Sequence, residues 1–81
     1  MDSLGEKIMD TIKIKDEFIK LGQAMKLAAL VEEGAEAKAV IQEGLVKVNG
    51  ETETRRGRKL YDGDVISFQG KEAVISGGSI S

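Results

Sequence analysis

Apolar and polar positions follow two different periods along this chain, and the switch between them divides the sequence. Residues 11–15, Thr-Ile-Lys-Ile-Lys, alternate, which places Ile12 and Ile14 on one face of a short strand. From residue 17 the period lengthens. Phe18, Leu21, Gly22, Met25 and Ala28 recur at helical spacing, and Leu27, Leu30 and Val31 widen the stripe, so a helix is predicted over 17–30. Asp16 serves as its N-cap and Glu17 as an acid in its first turn. Gly22 inside that helix costs about 1 kcal/mol against alanine, a penalty that a close helix crossing would explain.

Glu32-Glu33-Gly34 interrupts the pattern, and a second helix is predicted over 35–43. Ala37, Val40, Ile41 and Gly44 fall on its core side, Lys38 and Gln42 on a mildly basic edge, and Glu36 and Glu43 on an acidic one. Gly44 fits a left-handed C-cap. So few residues join the helices that they should pack as an antiparallel or angled pair. From Leu45 the period is two. Val46-Lys47-Val48 reads as a strand with Lys47 outward, and Asn49-Gly50 as a tight hairpin turn whose central residues need positive φ. Residues 51–54 form the return strand and 55–59 a basic loop. Asp62-Gly63 is a turn, 65–68 a strand, 69–71 a turn and 73–75 a further strand. The pattern predicts an α+β domain over 11–76, two packed helices with a small, mostly antiparallel sheet. Loose segments are expected at 1–10 and 77–81.

Eighty-one residues, 41% of them hydrophobic, supply one modest core. No run of roughly 18 apolar residues could span a bilayer, and the first ten residues lack the apolar stretch of a secretory signal. The expectation is a cytoplasmic protein with no membrane partner. Histidine and cysteine are both absent, which excludes Ser–His and Cys–His nucleophiles and thiolate zinc sites. No cofactor and no metal are expected. Asp62 and Asp64 form an acidic pair at a turn, and turn formation explains Asp62 without catalysis. Gly77-Gly78 resembles a sulfur-carrier ending, but Ser79-Ile80-Ser81 follow it, and a loose tail is the simpler reading. No catalytic residue is assigned, and the chain is not expected to be an enzyme.

The net charge of −2 hides a segregation. Residues 1–17 and 32–43 are acidic on balance, whereas 44–59 carry Lys47, Arg55, Arg56, Arg58 and Lys59 against Glu51 and Glu53. Every arginine of the chain lies in Arg55-Arg56-Gly57-Arg58. A guanidinium presents a rigid fork of donors suited to phosphate oxygens. The plain alternative is a solvated hairpin turn.

The segment from Glu36 to Gly50, with its alanine–lysine pair, Ile41, the helix-ending Gly44 and Val46-Lys47-Val48-Asn49-Gly50, resembles the core motif of the RNA-binding domain named after ribosomal small-subunit protein S4. Leu60-Tyr61-Asp62-Gly63-Asp64-Val65-Ile66 is similar to that family's closing signature. Within the family, the chain most resembles the small stand-alone YbcJ-like bacterial subgroup, which carries an arginine-rich stretch like residues 54–59. The resemblance implies an alpha-L RNA-binding motif, with the two helices and the hairpin forming the RNA-binding face. One departure stands out. Where most members begin the second helix with a serine–arginine pair, this chain has Glu33 and Gly34. Either affinity falls, or the basic loop reads the RNA.

A phosphate-binding face needs several cations within reach of one stretch of backbone. The candidate RNA-binding residues are Lys26, Lys38, Gln42, Lys47, Arg55, Arg56, Arg58 and Lys59, helped by free backbone amides near Gly34 and Ala35. Asn49 is expected to act in the turn alone. Tyr61 is expected to cover the core edge, and Phe18 and Phe68 to lie within the core. That leaves few aromatics for stacking and points to structured RNA read by shape and phosphate. Ribosomal RNA is the partner the family implies, for a role in ribosome assembly or translation, with ribosomal or RNA-processing proteins alongside. The rival reading is a protein-interaction module that docks an acidic partner on residues 55–59.

Overall fold

The computed structural model describes residues 9–77. Strand β1 (Met9–Lys13) is followed by the short β2 (Ile19–Lys20), which runs directly into helix α1 (Leu21–Leu27); α2 (Gly34–Gln42) comes next. The remainder is β3 (Val46–Val48), β4 (Glu51–Thr52), β5 (Lys59–Leu60), β6 (Val65–Phe68) and β7 (Lys71–Ser76). Five strands form one sheet in the order β1-β7-β6-β3-β4, and β2 and β5 pair as a separate ribbon. All pairings are antiparallel except β1 with β7. This is the α+β fold with a mostly antiparallel sheet that the periodicity predicts.

The sheet's alternation sorts its faces. Ile12, Val46, Val48, Ile66, Phe68, Ala73 and Ile75 are buried on the inner face, where they join Leu21, Ala24 and Met25 of α1 and Ala37 and Ile41 of α2 in one core. Register keeps buried residues opposite one another: Val46 faces Phe68, Val48 faces Ile66, and Ile66 faces Ala73. A slip by one residue would turn every one of these side chains to the outer face. Two turns are built from paired positive-φ residues, Asn49 (53°) with Gly50 (87°) and Gln69 (55°) with Gly70 (82°), the geometry that matches strand twist in a two-residue hairpin.

The second helix agrees with its periodicity to within a residue, and Gly44 takes the expected left-handed conformation after it (φ 79°). The first helix does not. It begins at Leu21, four residues later than residue 17, because Ile19 and Lys20 pair with Leu60 and Lys59 as a strand. Asp16 is therefore not an N-cap; Lys20 holds that position and makes no side-chain capping bond. Leu27 is 61% exposed and Phe18 only half-buried, so neither belongs to the core stripe. The helix ends at Leu27, three residues before residue 30, through a left-handed Ala29 (φ 59°) flanked by Ala29 N–H to Lys26 and Leu30 N–H to Met25 carbonyls. Residues 9–10 lie in β1, within the segment expected to be loose, and Gly77 donates its amide to Asp62 Oδ1 at 2.9 Å. The rest of the expected loose segments, 1–8 and 78–81, including Gly78, lies outside the described residues.

Ile41, on the inner face of α2, is fully buried. Ile41→Ala should cost roughly 2–5 kcal/mol as a large-to-small core truncation, and chemical denaturation should show a midpoint well below the parent's at unchanged slope.

Candidate nucleic-acid interface

The arginine loop is held by a carboxylate that no pattern along the chain singles out. Glu53 follows β4 and is 7% exposed, the only buried charged residue among those described. Its Oε2 accepts the backbone amides of Thr54 (3.1 Å) and Arg55 (3.0 Å) and Nε of Arg55 (3.0 Å), while Oε1 accepts Nη1 of Arg58 (2.9 Å). The side-chain bonds, from Arg55 first and Arg58 second, outweigh burial and hold the Glu53 pKa at about 2. The return strand stops at Thr52, short of residue 54, because the chain turns here to wrap this carboxylate.

From Glu53 the loop runs back over the start of α1. The Leu21 amide donates to the Arg58 carbonyl (2.8 Å) and the Gly22 amide to the Arg56 carbonyl (3.1 Å). These bonds satisfy helix amides that have no partner inside the helix. The Arg56 side chain crosses Gly22 so closely that a Cβ there would sit 2.6 Å from Arg56 Cγ. Gly22 is required by the arginine loop, not by a helix crossing.

Between loop and helix lies an open cleft of about 390 Å³ lined by Lys20, Gly22, Gln23, Lys26, Gly34, Arg56 and Gly57. Three of these residues are cations and none is an acid. Arg56, Lys20 and Lys26 are exposed, and their side chains have no hydrogen bond or ion pair among the described residues. Gly34 and Gly57 leave bare backbone at the rim, where a Cβ would meet nothing within 4 Å. The start of α2 is less open to an anion than its glycine suggests, since Glu36 occupies the first turn and accepts the Glu32 amide at 3.1 Å.

The structure thus brings together Lys26 and Arg56 of the eight sequence candidates and adds Lys20. The other arginines differ in kind. Arg55 pairs with Glu53 while its side chain stays 76% exposed, and Arg58, 32% exposed, is turned in toward the same carboxylate. Lys59 places Nζ over the Phe18 ring, 4.7 Å from its centre. Lys38 and Gln42 are exposed on α2 away from the cleft lining, and Lys47 stands on the outer sheet face beside Leu45, Ser67 and Gln69. Lys20 was missed because its residue type at a helix start carries no signal; only its pairing opposite Lys59 brings it to the loop.

The acidic pair at the closing turn is used structurally. Asp64 Oδ2 accepts the Tyr61 amide (2.7 Å) and Oδ1 accepts Nδ2 of Asn49 (3.0 Å), while Asn49 Oδ1 accepts the Val65 amide (3.0 Å). Asn49 therefore does more than form its turn: it ties the hairpin to the turn at Asp62-Gly63. Among the described residues no three carboxylates gather to hold a metal. No helix among them is long and apolar enough to cross a membrane.

The profile of the S4 domain matches residues 12–76. The chain is 49% identical over 59 residues to the probable ribosome maturation protein RlbA of Bacillus subtilis, covering 73% of this chain and 83% of that protein. It is 43% identical over 61 residues to the putative RNA-binding protein YbcJ of Escherichia coli, covering 75% and 87%. The solution structure of YbcJ, described as having an alfaL motif involved in RNA binding, superposes with a TM-score of 0.66 at 32% identity over 94% of this chain and 95% of that one. Ribosomal protein S4e of Thermoplasma acidophilum superposes at 0.55 with 27% identity, over 72% of this chain and 31% of its own.

Two outcomes test how the loop is held. Because the folded pKa of Glu53 lies below its ordinary value of 4.5, its contribution to stability is complete above that value and is lost as pH falls toward about 2. Glu53→Gln should remove that limb of the stability–pH profile and lower stability near neutrality by on the order of 1.5–3 kcal/mol, as thermal melts of parent and variant between pH 2 and 7 would show. Gly22→Ala should destabilise, although alanine in place of a helical glycine ordinarily adds about 1 kcal/mol; denaturant midpoints give the sign.

Proposed function

This chain belongs to the S4-domain family, and from that premise we propose that it is an RNA-binding protein that grips the phosphate backbone of structured RNA, ribosomal RNA foremost, in the cytoplasm. The observation that carries this reading is the cleft in which Arg56 stands unpaired beside Lys20 and Lys26, with no acid in the lining. Several unpaired cations around bare glycine backbone suit a phosphodiester chain, which brings a charge at every nucleotide and needs close approach. In this reading Arg56 is the forked ligand, and Lys20 and Lys26 are point charges on either side of it. Arg55, Arg58 and Lys59 keep the loop in place and add positive potential. Lys38 and Gln42 extend the contact along α2, whereas Lys47, on the outer sheet face, is reached only by an RNA that wraps around the hairpin. The overall charge of −2 does not oppose this, because binding follows the local field.

The names of the relatives support the finer part. One is a putative RNA-binding protein and another a probable ribosome maturation protein, so ribosome assembly or translation is the proposed process, with ribosomal or RNA-processing proteins as neighbours.

The test is a salt titration against structured ribosomal RNA fragments, with matched DNA alongside. Arg56→Ala and Lys26→Ala should each weaken binding to all structured fragments alike, because phosphates carry no sequence. Each should flatten the slope of log affinity against log salt by about one unit or slightly less. Arg56→Lys should not restore the parent's affinity. Arg58→Ala should lower the melting temperature while Arg56→Ala leaves it unchanged. A folded Arg56/Lys26 double alanine variant with the parent's affinity and salt slope would refute the assignment.

A further inference from the structure

The ribbon formed by β2 and β5 has two faces with opposite chemistry. Ile19 and Leu60 pair directly and are both buried. Lys20 pairs with Lys59, and continuing the same antiparallel register sets Phe18 opposite Tyr61. Side chains alternate across a strand, so Phe18, Lys20, Lys59 and Tyr61 share the outer face. The structure bears this out in detail. The Phe18 and Tyr61 rings lie 6.0 Å apart, tilted by 54°, and the Lys59 ammonium sits over Phe18. Tyr61 remains 49% exposed. Its backbone is fixed on both sides by Asp64, whose carboxylate accepts its amide and whose amide donates to its carbonyl at 2.9 Å.

We propose that this face is a stacking platform for an unpaired nucleobase, with Tyr61 as the ring that receives it. The inference rests on the RNA-binding reading above and narrows it to RNA that carries a bulged or looped-out nucleotide beside a helical stretch. Lys20 makes the connection, because it belongs both to this face and to the cleft lined by Arg56 and Lys26. A nucleotide whose phosphate sits in the cleft thus has an aromatic surface on the adjoining ribbon. Aromatic rings interleaved with cations are the arrangement that captures unstacked bases. Phe18 braces the platform: held beneath Lys59 and only half-exposed, it stiffens Tyr61 from the side. Leu60 and Ile19 close the core beneath this face, and Tyr61, expected at the core edge, stands half-exposed above them.

Tyr61 is the chain's single tyrosine and there is no tryptophan, so its fluorescence reports this face alone. Two RNAs of equal charge serve as probes, a perfect hairpin and the same hairpin with one nucleotide moved into a bulge. The parent should prefer the bulged RNA by roughly 5- to 150-fold, the range that one base–aromatic stack confers. Tyrosine emission should be quenched by the bulged RNA and little changed by the perfect one. Tyr61→Phe should keep the preference and Tyr61→Leu should abolish it while leaving affinity for the perfect hairpin intact. Arg56→Ala should weaken both RNAs equally, which separates the phosphate cleft from the platform. Equal affinity of the parent for the two RNAs, or a Tyr61→Leu variant that retains the preference, overturns the platform and leaves the phosphate reading standing. Binding of neither RNA overturns both.

Discussion

Helix α1 starts without a capping side chain, and the amides at its first two positions find their acceptors about 35 residues later in the chain, in the arginine loop. Most of what is distinctive here depends on those two bonds. They fix where the helix can begin, require a glycine at its second position, and lay the Arg56 side chain across the helix start. A seven-residue helix is too short to stand on its own propensity. Its place is set by what it buries and by the loop that closes its end. Fold and site are therefore one construction: the contacts that complete the helix are the contacts that aim the arginine.

Glu53 divides three arginines that look alike in the sequence into two kinds. A carboxylate that accepts two backbone amides and two guanidinium groups has little capacity left, so Arg55 and Arg58 are bound to the protein before any ligand arrives. Arg56, between them, is left over. The arrangement confers stiffness, since a loop of like charges would otherwise spread apart by repulsion. It also means that replacing any one arginine by alanine asks a different question from replacing its neighbour, because one change removes a ligand and the other loosens the frame.

The parts of the fold that were legible in the sequence are those fixed by local chemistry. Asn49-Gly50 announces a turn that needs positive φ, the valines around Lys47 alternate, and Gly44 closes α2 as a glycine should. What was not legible depends on partners far along the chain. Asp16 and Glu17 imitate a helix start, but the pairing of Ile19 with Leu60 overrules them. Ala29 ends α1 in a left-handed conformation that alanine does not advertise. The arginine cluster was visible by composition; that Glu53 takes up two of its members, and that Lys20 joins the third, follows only once the ribbon and the loop are folded together. Phe18 was misplaced for the same reason, since the ribbon that turns it outward has just two residues in each strand.

The parallel pairing of β1 with β7 bears on how the protein is made. Met9 registers with Glu72 and Lys13 with Ser76, so β1 is synthesised roughly sixty residues before β7, its sheet neighbour among the described residues, exists. Closing so long a loop adds little equilibrium penalty, because the entropy grows only with the logarithm of its length, but pairings of high sequence separation form slowly. On the ribosome the β3–β4 hairpin can form from neighbouring residues and α1 can settle once the arginine loop has emerged, while β1 stays unpaired until β7 has emerged. Completion of the sheet thus waits for residues 71–76, and a chain stalled before residue 71 would present both β6 and β1 with an open edge.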